Sequence, residues 1–173
     1  MLDALPLPHS FDSRVGPAQL RRATEADADA VIALLADDPI SAARGDRASE
    51  TDAPAYRAAL GEILAEPSND LLVVELDGAV VGTLQLTSIP GMARRGARRL
   101  LVEAVRVSSA LRSSGIGSAV MTWVADDAAP ALGAAMVQLT SDAARVDAHR
   151  FYERLGYAGS HVGFKLRVPR EGR

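Results

Sequence analysis

One stretch narrows the choice of folds more than any other. Residues 99–107 are rich in apolar and β-branched side chains, end in Glu103-Ala104-Val105-Arg106-Val107, and read as a strand. A short polar connection leads into Arg112-Ser113-Ser114-Gly115-Ile116-Gly117. That loop opens a segment to about residue 128 in which Ile116, Ala119, Val120, Trp123 and Val124 recur at the spacing of one buried helical stripe, before Pro130 and Gly133 end it. Strand, glycine loop, helix is an order that suits a phosphate. A helix start leaves about four backbone N–H groups unpaired and carries a partial positive charge, and glycines let an anion approach without a Cβ in the way. Arg112 adds a cation. The Lys-Ser/Thr pair of a P-loop NTPase is missing, as is the full spacing of a dinucleotide fingerprint. Taken alone, the two glycines fit an ordinary tight turn as well as a phosphate cradle.

The rest of the chain fits a mixed α/β domain around this unit. Residues 1–17 hold three prolines and a glycine without a clear period, and are expected to form an arm ahead of the domain. A short strand is expected over Ala18 to Arg22, then a helix capped by Thr24 with Asp27 as the acid of its capping box, running to about Ala36. Residues 37–53, with Asp37, Asp38, Asp46, Glu50 and Asp52 interrupted by Arg44 and Arg47, read as a solvated connection. Pro54 suits the first turn of a second helix, where Tyr56, Ala59, Leu60, Ile63 and Leu64 repeat one stripe. Leu71–Leu76 and Ala79–Thr87 form a hairpin through Asp77-Gly78. Ala134 to Thr140 is a further strand, a helix carries Ala148, Phe151, Tyr152 and Leu155 up to Gly156, and a strand pair is expected between about Tyr157 and Val168. The order β-α-α-β-β-β-α-β-α-β-β gives an α/β fold with one mixed central sheet and flanking helices.

Composition enters mainly as exclusion. With 173 residues and 48% hydrophobic content, the chain fits one domain able to bury its own core. It has no cysteine, which removes disulfides, thiolate metal sites and a cysteine nucleophile. Net charge is −3 and aromatics are 4%, so neither nucleic acid nor a membrane surface is an expected partner. The first ten residues lack the pattern of a signal peptide and no segment is apolar for long enough to span a bilayer, so a cytoplasmic location is expected. Arg94, Arg95, Arg98 and Arg99 form a basic run that reads as a solvated hairpin tip or as a site for a phosphate, an acidic acceptor or RNA. His149 and His161 stand apart from other metal-type ligands and read as satisfied or solvated side chains.

Two signatures at the right separation resemble the GNAT superfamily of acetyl-CoA-dependent N-acetyltransferases. Arg112-Ser113-Ser114-Gly115-Ile116-Gly117 matches that family's Arg/Gln-x-x-Gly-x-Gly/Ala pyrophosphate signature, placed after a Glu-x-Val-x-Val strand. Ala148-His149-Arg150-Phe151-Tyr152-Glu153-Arg154-Leu155-Gly156-Tyr157 is similar to its second signature, a helix ending Phe-Tyr-x-x-x-Gly-aromatic. The resemblance covers roughly residues 18–168, implying an acyl-CoA N-acyltransferase domain there, with residues 169–173 as a tail. It implies acetyl-CoA as co-substrate without a metal. Backbone groups around Val105 and Val107 would pair with the pantetheine arm, and the N–H groups of Ser113, Ser114, Gly115, Ile116 and Gly117, with Arg112, would hold the pyrophosphate. Tyr152 holds the general-acid position. Arg145 stands where the family often has Asn, so that contact does not carry over. A homodimer follows from the resemblance only.

The chemistry needs a free-base amine, and holding a lysine-like amine neutral at pH 7 costs about 4.6 kcal/mol. A proton acceptor is therefore useful, and Glu103 is the candidate. Period-two alternation would place it with Leu101, Val105 and Val107, a carboxylate among apolar side chains that takes the proton directly or through a water. The structural alternative is a strand-edge glutamate paired with an arginine, and for Tyr152 it is a core aromatic. The activity implied is direct acetyl transfer in a ternary complex to a small-molecule amine rather than a protein. A non-catalytic acyl-CoA-binding regulatory module is the competing reading.

Overall fold

The computed structural model describes residues 2–43, 45, 48–166 and 168. The chain separates into two compact units, Met1–Leu139 and Thr140–Arg173. The first is built on a six-stranded sheet in sequential order. Its strands are β1 His9–Ser13, β2 Gly16–Arg22, β3 Asn69–Leu76, β4 Ala79–Ile89, β5 Arg98–Val107 and β6 Ala134–Leu139. Strands β1 to β5 pair antiparallel, and β6 joins β5 in parallel. A parallel neighbour needs a crossover. Here that connection contains α4, Ile116–Trp123, continued by a wider π turn over Val124–Ala128. The β3–β4 turn has Asp77 at φ +51° and Gly78 at φ +78°, the two positive angles that the dipeptide was expected to supply.

Alternation along the strands sorts the side chains to two faces. Leu72, Val74, Leu84, Leu86, Leu100 and Val102 are fully buried on one face. On the other, Leu71 and Val73 pack with Ala23, Ala28, Val31 and Leu60, which come from β2's exit, α1 (Ala28–Ala36) and α3 (Ala53–Ala65). The α1 entrance is tied down electrostatically. Thr24 and Asp27 form the expected capping box, and Arg21 of β2 grips both Asp27 oxygens at 2.9 Å and Glu75 of β3 at 2.9 Å. The Arg21 guanidinium, with help from Thr24, holds the Asp27 carboxyl down at about 2.

Three expectations are corrected. Residues 2–13 are not an arm outside the sheet: Leu2 and Leu5 are buried, β1 covers the outer edge of β2, and the Leu2 carbonyl accepts a 2.6 Å hydrogen bond from Arg22. The sequence His9-Ser10-Phe11-Asp12-Ser13 is too polar to announce a strand, and it is one because β2 offers an open ladder. The connection after α1 is not plainly solvated either. It holds α2, Pro39–Ala43, with Asp38 and Ser41 buried and the Ser41 N–H bonded to Asp38 at 2.8 Å. Arg44, Asp46 and Arg47 lie outside the described residues.

The third correction concerns the second unit. Its helix α5, Val146–Arg154, forms as expected, but residues 157–166 and 168 carry no strand. Val162, Phe164, Leu166 and Val168 alternate as a strand would, yet they are 79–92% exposed. Alternation stabilises a strand only where a ladder and a packing face exist, and Gly159 and Gly163 weaken the segment further. Residues 169–173 lie outside the described residues. Among the described residues, no helix is long and apolar enough to cross a membrane.

Candidate active site

The segment between β5 and α4 is held from two directions. Asp37, just past α1, accepts a 2.6 Å bond from the Ser109 N–H and a 2.8 Å bond from its hydroxyl. These bonds, the backbone one first, hold the exposed Asp37 carboxyl below the usual carboxylate range, with the charge of Arg112 adding to them. From the β1–β2 turn, the Arg14 N–H donates to the Ser114 carbonyl at 2.8 Å and its guanidinium to the Ser113 carbonyl at 3.0 Å. The Gly115 carbonyl accepts from the Ala119 N–H at 3.0 Å. Three successive carbonyls are thus turned into protein partners. The backbone takes positive φ at Ser113 (+65°) and at Gly115 (+94°), the residue that caps α4. Alternating left-handed residues at a helix start form an anion-binding concavity of N–H groups. Ser114 is 6% exposed, and its hydroxyl hydrogen-bonds no protein group. Arg112 is exposed beside it. This loop fits a pyrophosphate.

Strand β5 leads into the loop and departs from regular pairing twice. It carries one extra residue against β4, since Gln85 pairs with Glu103 but Thr83 with Arg106, and Ala104 takes φ +51° in this bulge. It also loses its other neighbour, because β6 pairs only with Arg98 to Val102 and ends at Leu139. Among the described residues, β5 from Glu103 to Val107 therefore presents one backbone edge without a strand beside it. The Val105 carbonyl is already engaged, accepting from Arg106 at 2.8 Å.

The bulge overturns one expectation about Glu103. Past Ala104 the alternation inverts, so Glu103 shares its face with Leu101 and Arg106, not with Val105 and Val107. It is exposed rather than set among apolar side chains. The same face carries a polar group that the sequence reading passed over. Asn69 accepts a 2.6 Å bond from the Thr87 hydroxyl and a 3.2 Å bond from the Gln85 amide, and Gln85 lies directly across the ladder from Glu103. Arg106, one row along, donates to the Ser41 hydroxyl of α2 at 2.6 Å. The available signal was the pair of polar positions 85 and 87 alternating with buried Leu84 and Leu86. In a hairpin strand, that pattern also describes a plain solvent face.

In the second unit, Tyr152 is half-buried on α5, edge-on to Phe151 with ring centroids 5.1 Å apart and to Tyr157 at 5.8 Å. The Tyr157 N–H closes the end of the helix on the Tyr152 carbonyl at 3.1 Å. Burial, with Tyr152 adding to it, pushes the Tyr157 hydroxyl up to about 12. Arg145 sits at the helix N-cap, where its N–H bonds the Asp142 carbonyl, and the His149 ring also meets that carbonyl at 2.8 Å. His161 is exposed beside the Ser160 hydroxyl. The basic run contributes packing: Arg98 bonds Ser88 at 2.9 Å, and Arg94 meets the Met136 sulfur.

Comparison with known proteins gives a consistent result. The model of the acetyltransferase (GNAT) family matches residues 29–157. An aminoalkylphosphonate N-acetyltransferase of Salmonella typhimurium is 32% identical over 146 residues, 84% of this chain and 88% of that protein. A solved structure described as a transcriptional regulator from Bacillus halodurans C-125 superposes with a TM-score of 0.82 at 36% identity, covering 92% of this chain and 100% of that one. Glucosamine-6-phosphate N-acetyltransferase from Arabidopsis thaliana shares the fold at a TM-score of 0.70 and 18% identity, over 88% and 99% of the two chains.

Proposed function

The chain belongs to the acetyltransferase (GNAT) family, and from that premise we propose that it transfers acetyl from acetyl-CoA to the primary amine of a small molecule by direct attack in a ternary complex. The observation that carries this reading is the loop before α4, whose carbonyls are drawn away by Arg14 and Ala119 and whose buried Ser114 hydroxyl has no protein partner. The backbone N–H groups of Ser113, Gly115, Ile116 and Gly117 and the Ser114 hydroxyl, with Arg112, hold the pyrophosphate, the Ser114 N–H being taken by the Leu111 carbonyl at 3.3 Å. The free edge of β5 at Val105 and Val107 holds the pantetheine arm, Val105 through its N–H because its carbonyl is taken. Acetyl-CoA supplies a thioester carbonyl open to attack. Glu103 takes a proton from the amine, directly or through a water, and the Tyr152 hydroxyl gives one to the departing sulfur. The family match, residues 29–157, contains every residue given a binding or catalytic role here. A cytoplasmic setting and a homodimer are carried over with the family reading.

The acceptor class follows the relative named for aminoalkylphosphonates: a short primary amine that bears an acidic group. The test is coenzyme-A release by the purified protein from acetyl-CoA across a panel of primary amines, aminoalkylphosphonates among them, with Tyr152→Phe as control. Release that depends on one amine class and drops about tenfold or more in the control is the expected result. An unaltered rate in Tyr152→Phe removes that residue from the mechanism. The similarity to a protein described as a transcriptional regulator supports a second reading, a non-catalytic acyl-CoA-binding regulatory module. Saturable acetyl-CoA binding with no release across the panel would favour it.

A further inference from the structure

The polar trio on the Glu103 face has a defined orientation. Asn69 lies opposite Thr87 in the β3–β4 ladder and diagonal to Gln85, and its side-chain oxygen receives both neighbours. The Thr87 contact of 2.6 Å suits O–H···O and is too short for an amide nitrogen. The oxygen of Asn69 therefore faces the pair, and Gln85 must turn its NH2 group inward at 3.2 Å. That turns the Gln85 carbonyl oxygen away from Asn69, on the sheet face it shares with Glu103. Directly paired residues have Cβ atoms about 4.5–5.5 Å apart, so the amide oxygen and the carboxylate can both reach one small group between them. Two neighbouring acceptors suit a group with two N–H bonds.

We propose that Gln85, oriented by Asn69 and Thr87, is a specificity-determining residue: its side-chain carbonyl accepts one N–H of the acceptor's primary amine while Glu103 takes the proton that leaves. This rests on the acetyltransferase reading. In the reaction an N–C bond forms and the C–S bond breaks. The amine attacks as its free base, after its ammonium proton has left to solvent. As the N–C bond forms, one of its two protons passes to Glu103, the other N–H stays on Gln85, and the Tyr152 hydroxyl protonates the departing sulfur. A secondary amine bound as the free base has a single N–H, which cannot be held by Gln85 and surrendered to Glu103 at once. The trio therefore selects primary over N-methylated amines.

The test measures kcat and KM for the best primary amine of the panel and for its N-methyl derivative, with the full chain as wild type, Gln85→Met and Gln85→Glu. Gln85→Met keeps the length of the side chain and removes the carbonyl. It is expected to raise the amine KM roughly five- to tenfold, leave the acetyl-CoA KM unchanged, and erase most of the preference for the primary amine. Gln85→Glu restores an oxygen acceptor and is expected to bring the amine KM back to within about threefold of wild type. If Gln85→Met does not fold, Thr87→Val, which deletes the hydroxyl that orients Asn69, is expected to weaken the same preference about threefold. A folded Gln85→Met, or in its place Thr87→Val, with wild-type amine KM and undiminished preference overturns the role of Gln85 and leaves the acetyltransferase reading intact. A wild type that acetylates no amine overturns both.

Discussion

On one face of the sheet, Leu71 and Val73 lie under α1 and α3 among Ala28, Val31 and Leu60, whereas their neighbours Asn69, Gln85, Thr87, Glu103 and Arg106 on the same face make hydrogen bonds or stand exposed. The strands are continuous through both regions, so backbone pairing does not distinguish them. What differs is what packs on them: α1 and α3 set apolar side chains over Leu71 and Val73, whereas α2 meets Arg106 through the Ser41 hydroxyl. The covered half gains stability from apolar burial, and its carboxylates Asp27 and Glu75 are bound to Arg21. The polar half adds little to stability and carries the groups that the proposed chemistry needs. A division of this kind lets the site vary while the fold is held elsewhere.

The contrast can be broken most directly at Glu103. Glu103→Gln is expected to lower turnover by about a hundredfold or more while leaving the urea unfolding midpoint where it was, because the side chain is exposed. Undiminished turnover in that variant would reduce Glu103 to a strand-edge glutamate. The converse substitution is Leu60→Ala in α3. It is expected to cost about 3 kcal/mol of stability in urea titration and to leave kcat per folded molecule unchanged; a large loss of kcat at full folding would show that the two halves are coupled.

A smaller effect sharpens the comparison on the covered side. Arg21 lowers the folded pKa of Asp27, so the stability this pair contributes is complete above the ordinary carboxylate range and is lost as pH falls toward about 2. It amounts to at most about 2 kcal/mol. The stability gap between wild type and Asp27→Asn in urea unfolding should therefore be widest near pH 6 and shrink as pH falls from about 4 through about 2, with activity at neutral pH little affected. A gap that is constant with pH would assign the cost to the lost helix cap rather than to the ion pair.

Much of this was legible in the sequence, and the parts that were not share a cause. The Asp77-Gly78 turn, the capping box at Thr24 and Asp27, and the glycine start of α4 were all readable, since each depends on what a few adjacent residues allow. Ala104 carried no such signal. Alanine has no local preference for φ +51°, and the bulge exists because β4 and β5 differ by one residue across the ladder. Glu103 therefore keeps Leu101 on its face, as local alternation predicts, but has Arg106 there in place of Val105 and Val107. Asp37 is locally one acid among several, although it holds the loop through Ser109, 72 positions away. The exposed alternation from Val162 to Val168 shows the opposite error: a strand pattern was present and no ladder met it.

By itself the sequence determined the alternation of strand and helix, the glycine loop that opens α4, and the two signatures that mark the family, because these are carried by neighbouring residues and by φ angles that only some of them tolerate. Tertiary structure alone decided that the polar segment from His9 to Ser13 becomes an edge strand, that Arg14 and Asp37 hold the loop, and that Gln85 stands across from Glu103. Those relations depend on register between distant segments. A one-residue offset in pairing moves a side chain to the other face, and no local preference records that offset.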